Sequence, residues 1–216
     1  MENRKNTILL TVIAVATLLV AVVGATFAYF TAQGGTTAQT PVNAQTAQTS
    51  NGSFFTNGQI SINATQENFY QGAGNQKSTA TAKVTYTASS TAASDFCYTV
   101  GLQVTANNFE YTTAPANTPE LTFTAEKEAS AETLNSPTTL IDAQDITTSA
   151  QSTLIQVPTT AGGADYTHQI NAGQGATVND QWRFTVTLVN LESDQNANTG
   201  KAFTGQIVFT HVECGD

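Results

Sequence analysis

Positive charge is scarce in this chain. Seven Lys and Arg stand against sixteen Asp and Glu among 216 residues, a formal net charge of −9, and no segment gathers the basic side chains into a stripe. Binding a nucleic-acid backbone requires clustered cations that displace counterions, so no nucleic-acid partner is expected. Charge of either sign reaches only 11% of residues. Thr, Ala, Gln and Asn dominate instead, and short neutral polar faces suit strands and turns better than the Lys- and Glu-rich surface of a cytosolic helical protein.

Chemistry-bearing residues are as sparse. With two Cys and two His, there is no Cys-x-x-Cys redox pair and no His-Glu-x-x-His helix, and Cys97, Cys214, His168 and His211 lack the close spacing of a zinc site. Gly162-Gly163 and Gly173-Gln174-Gly175 lack the Lys and the strand-to-helix setting of a phosphate loop, and read as turns. Glu126 with Glu128 and Asp142 with Asp145 are acid pairs on paper, best explained as surface carboxylates. Asn51-Gly-Ser53 and Asn63-Ala-Thr65 satisfy the glycosylation pattern, which a Thr- and Asn-rich chain meets by chance. The expectation is a non-enzyme with no cofactor and no metal.

One long apolar run exists. Arg4 and Lys5 precede Ile8 to Ala25, and Thr26-Phe27-Ala28 supplies a small-residue end, so residues 1–28 read as a signal peptide cut after Ala28. A retained anchor is the alternative, since the run is nearly long enough to span a bilayer. Losing Glu2, Arg4 and Lys5 leaves fifteen acidic and five basic side chains in the mature chain. An extracellular or cell-surface protein that no longer spans the membrane is expected, with a signal peptidase as its partner during export. The sequence near Cys214 to Asp216 offers no second apolar span and no wall-sorting tail, so attachment is expected through assembly, non-covalent contact or a retained first helix.

Residues 29–53 form an arm of Thr, Gln, Ala and Gly led by two aromatics, too polar to supply a core. It reads as a spacer, or as a strand that adds to an unpaired sheet edge of another subunit. From Phe54 to Asp216 the chain alternates with period two. Strands are expected at 59–64, 79–87, 96–106, 120–125, 152–157, 182–190 and 205–212. Residues 125–134 and 140–150 have only weak helical character, and Ser193 to Gly200 reads as a hairpin loop between the last two strands. Short, regularly spaced strands without amphipathic helices between them predict an all-β fold. The form expected is an antiparallel β-sandwich, jelly-roll or immunoglobulin-like, with loop and short-helix insertions. Trp182 and Phe184 are expected in or capping its core, while Phe69, Tyr70, Phe109 and Tyr111 sit beside turns where a recognition surface is conceivable.

In an exported chain one Cys97–Cys214 disulfide is the simplest reading, with reduced thiols or an intermolecular link as alternatives. Closing a loop of more than a hundred residues would stabilise by roughly 4 to 5 kcal/mol in the chain-entropy account.

The leader TFAYFTAQG together with NGQISINA resembles the exported Gram-positive TasA/camelysin family of β-sandwich proteins. Thr26, Phe27 and Ala28 take the leader positions, Phe30 the aromatic near the mature start, and Gly58 to Ile62 the early strand. Val186 to Asn190 and Phe203 to Phe209 are similar to the family's closing hairpin. The spacer from Gln33 to Thr49 and an insertion from Glu110 to Thr167 depart from a compact member. The resemblance implies subunits that self-associate into extracellular, biofilm-matrix fibres by donor-strand exchange, the donor starting at Tyr29 and Phe30 and running through Thr31 and Ala32. The competing expectation is a monomeric surface adhesin or ligand-binding module using the 110–167 region, and a secreted hydrolase ranks third.

Overall fold

The computed structural model describes residues 50–215 and the two-residue strand Ala44–Gln45. Eleven strands follow in chain order: β1 (Ala44–Gln45), β2 (Asn51–Asn57), β3 (Ile60–Asn63), β4 (Gln76–Thr87), β5 (Ser94–Asn107) and β6 (Leu121–Glu128), then β7 (Thr138–Asp145), β8 (Leu154–Gln156), β9 (His168–Ala172), β10 (Thr177–Leu188) and β11 (Ala202–Val212). The helical turns among the described residues are two short 3-10 turns, Gln66–Phe69 and Asn196–Asn198.

The strands form two antiparallel sheets packed as a sandwich. The first runs β1-β2-β4-β10-β6-β7, and the second runs β3-β11-β5-β8 with β9 also pairing β5. The expected all-β sandwich is therefore present, and each of the seven expected segments coincides with a strand.

Alternation explains the core. On β10, Trp182, Phe184, Val186 and Leu188 are buried, while Arg183, Thr185 and Thr187 face outward with the opposite parity. Large and small side chains alternate across the first sheet. Trp182 lies in register with Ala82 of β4 and Lys127 of β6, and Phe184 lies between Ala80 and Ala125. The alanines leave the room that the rings fill, as close packing demands. The second sheet answers with Tyr98, Val100, Leu102 and Val104 of β5, Phe203 and Ile207 of β11, and Ile60 and Ile62 of β3. Gly52 of β2 is required by this packing, because a Cβ there would run into the Phe96 ring.

Four features differ from the sequence reading, each for a physical reason. Residues 138–145 are strand β7, and 125–128 continue β6, where weak helix was expected. The β6–β7 pairing carries register shifts between Phe123 and Glu126, and Ala143 has a positive φ of 48°, so the buried positions Leu140 and Ile141 fall side by side and hide the period of two. The span 110–167, read as an insertion, thus contributes β6, β7 and β8 to the two sheets. Asn51–Ser53, placed in the arm, lie in β2 and pair with Thr85 to Thr87; adjacent Phe54 and Phe55 obscure the alternation there. Finally, β10 and β11 belong to different sheets, so the segment between them is an arch and not a hairpin. Turn-forming residues identify a reversal but not which sheet receives the next strand.

Candidate functional site

The expected donor residues Tyr29, Phe30, Thr31 and Ala32 lie outside the described residues. The strand edges of the body can be located. On one side of the sandwich both sheets end, the first at β7 and the second at β8, and among the described residues neither strand has a partner on its outer side. A cleft of about 630 Å³ opens there, lined by Leu140, Ile141, Leu154, Ile155, Pro158 and Tyr166 with polar side chains between them. Leu154 and Tyr166 are 43% and 37% exposed, two of three large hydrophobic residues so exposed among the described residues. Asp142 is the one ionisable carboxylate in the lining. Gly101 sets how closely β8 approaches β5, because a Cβ at that position would lie 2.6 Å from the Ile155 carbonyl oxygen.

A second centre is buried between the sheets. Lys127 and Asp180 occupy inward positions of β6 and β10, with side chains 14% and 2% exposed, and Lys127 Nζ lies 2.7 Å from Asp180 Oδ2. The Tyr98 hydroxyl donates to the same oxygen at 2.7 Å, and the Ser130 amide donates to Oδ1 at 3.1 Å. The Trp182 indole N–H donates in turn to the Tyr98 oxygen at 3.1 Å. The ammonium sits 5.6 Å from the Tyr98 ring centre and 5.5 Å from that of Trp182, a double cation–π contact. Burial first, and then the Asp180 charge and its hydrogen bond, hold the Tyr98 hydroxyl well above its ordinary pKa, so it keeps its proton.

His168 closes this centre. Its ring packs edge-on against Trp182 at 4.9 Å and stacks with Tyr98 at 5.5 Å, while Nε2 lies 3.0 Å from the Val157 carbonyl oxygen. Desolvation, followed by the nearby Lys127 charge, lowers its pKa to about 4. The imidazole is therefore neutral at neutral pH and donates to that carbonyl, a structural role.

The arch between β10 and β11 is held by a third polar group. Glu120 is fully buried, yet its carboxylate accepts from the amide and hydroxyl of Thr112 and from the side chains of Gln195 and Asn198, at 2.5 to 2.7 Å. Four donors satisfy the charge without a cation.

The remaining candidates are placed as follows. Cys97 and Cys214 form a disulfide with a Cα–Cα distance of 5.2 Å; Val212 pairs with Cys97 in register, and the bond fastens the end of the chain to β5. Trp182 and Phe184 are core residues, as expected. Phe69 and Phe109 are buried, Tyr70 is exposed, and the Tyr111 hydroxyl donates to Asp145 at 2.6 Å. Glu126 forms a two-point pair with Arg183, and Glu128 accepts from the amides of Asn135 and Ser136. His211 is exposed, its ring tilted against that of Phe96 with the centres 5.0 Å apart. Asn51 and Asn63 are exposed strand ends. Among the described residues no group of His, Cys, Asp and Glu is placed to hold a metal ion, and no helix is long and apolar enough to cross a membrane.

Sequence reasoning missed Lys127 and Asp180, although parity could have found them. Leu121, Phe123 and Ala125 point inward, so Lys127 follows in step; counting back from Trp182 by two reaches Asp180. The expected strands ended at 125 and began at 182, one step short on each side.

In comparison with known proteins, no family model matches the chain and no curated protein matches it significantly.

Proposed function

We propose that the chain is an exported structural subunit that assembles into extracellular or surface filaments, the arm led by Tyr29 and Phe30 of one subunit adding as a strand to the next. The observation that carries this reading is the cleft between β7 and β8. Two strand edges without outer partners among the described residues border a cleft of mixed apolar and polar lining, a setting that strand addition can use: backbone N–H and C=O groups supply affinity, and side chains at alternate positions fill pockets. A Thr-rich arm with aromatics at its head has the backbone propensity and the anchors for that role. With Asp142 alone charged in the lining, register and pocket fit select the partner more than electrostatics does. Donor and acceptor are different surfaces, so the contact is head-to-tail and grows open chains.

The leader, the scarcity of charge and the disulfide support export, because disulfides persist outside the reducing cytosol. Deleting Tyr29 to Gly35 from the mature protein is expected to leave a folded monomer that does not elongate, read by light scattering and circular dichroism. Filaments of normal length from the deleted protein would contradict strand donation.

A second reading has one observation in its favour. The cleft lining falls wholly between residues 140 and 166, inside the region assigned to ligand contacts in a monomeric adhesin. A chain that stays monomeric in native mass spectrometry and binds a glycan or matrix array, with binding lost in Tyr166→Ala, would favour that reading.

A further inference from the structure

The Lys127–Asp180 pair is difficult to explain by stability alone. A buried ion pair recovers little more than its desolvation cost, and apolar residues of similar size would serve the core as well. Here a primary amine and a carboxylate are in contact, screened from water by Tyr98, Trp182 and His168. We infer that Lys127 and Asp180 are the site of an intramolecular condensation, forming an amide bond between the two side chains that joins β6 to β10.

The geometry supplies what the step requires. In an interior of low dielectric, transfer of one proton from Nζ to Oδ2 converts two ions into a neutral amine and a neutral acid, relieving the cost of burying charge. The amine lone pair then attacks Cγ, as desolvated lysines do with carbonyl carbons. Negative charge develops on Oδ1, where the Ser130 amide already donates. The Cγ–Oδ2 bond breaks next. That oxygen carries the first proton, takes a second from the nitrogen, and leaves as water; the third remains as the amide N–H. The Tyr98 hydroxyl, donating to Oδ2 and polarised by the Trp182 indole, eases this departure. No oxidant, cofactor or second substrate is needed, and proximity supplies the drive that free amines and acids lack in water.

The product would complement the disulfide. The disulfide ties β5 and the end of β11 in the second sheet, and the amide would tie β6 to β10 in the first, enclosing β7, β8 and β9 in a covalent loop. Both crosslinks would resist unfolding and proteolysis outside the cell. The inference stands whether or not the subunits assemble.

Mass spectrometry of the mature full-length chain, reduced and digested, tests it. The expected result is a branched peptide joining the segment with Lys127 to the segment with Asp180, lighter than the two together by one water. Lys127→Arg, which keeps the charge but not the primary amine, is expected to yield only linear peptides. Recovery of both wild-type segments as separate linear peptides at full mass would overturn the inference, as would a lost water that maps to other residues. The wild-type spectrum decides even if the variant does not fold.

Discussion

His168 shows how a single buried side chain gives the protein a pH dependence. Its pKa falls from 6.5 to about 4 on folding, chiefly through desolvation by burial. Between those values the unfolded chain holds a proton that the folded chain refuses. Stability is therefore fully present above about pH 6.5 and declines as pH falls towards 4, by about 3 kcal/mol in all from this residue. Urea titrations at a series of pH values are expected to show that decline, and His168→Gln is expected to flatten it while leaving carboxylate-linked losses below pH 4. An unchanged slope in the variant would assign the acid sensitivity elsewhere. Histidine in the strand segment HQINA gave no hint of this environment, because burial of His168 depends on Trp182 and Tyr98 arriving from β10 and β5.

At the scale of elements, the central strands were legible and the margins were not. β4, β5, β10 and β11 bury one face against the opposite sheet, so Val, Ile, Phe and Tyr recur at every second position and declare themselves. β7 is an edge strand with a bulge, and β9 places His168 and Ala172 at inward positions, so neither displays a clean apolar alternation. β8 was found from Leu154 and Ile155, but that it borders a cleft follows from the partnering of whole sheets, which no local pattern encodes. The cleft yields a direct prediction. Leu154→Glu places a charge on an exposed wall, where surface substitutions change stability by no more than about 0.5 kcal/mol. Folding is expected to be preserved and elongation abolished, as measured by denaturant unfolding alongside sedimentation. A variant that still elongates normally would place the acceptor surface somewhere other than β8.

At the scale of the molecule, the two sheets are joined mainly by side-chain packing, with buried polar groups set into it. Tyr98, Asp180 and Lys127 sit at one such place, and Glu120 with Gln195 and Asn198 at another. The disulfide adds a covalent tie across 117 residues of sequence. Replacing both cysteines by serine is expected to lower unfolding free energy by about 2 to 4 kcal/mol, below the chain-entropy ceiling because reduced chains retain some structure. Chemical denaturation of the two proteins under identical conditions checks this, and equal midpoints would show that the bond does not constrain the unfolded ensemble. The pairing of Cys97 with Cys214 was legible because the chain offers one possible pair. Parity places Lys127 and Asp180 inward, but the centre they form was not legible, since it depends on β5, β6, β9 and β10 bringing Tyr98, Trp182 and His168 around the pair.

Negative-stain electron microscopy of the mature protein recovered from the culture medium, with intact mass measured on the same sample, tests the account most directly. Filaments whose subunits begin at Tyr29 are expected, growing in number with protein concentration. Folded chains beginning at Tyr29 that remain monomeric at every concentration would contradict assembly and leave the cleft to a ligand.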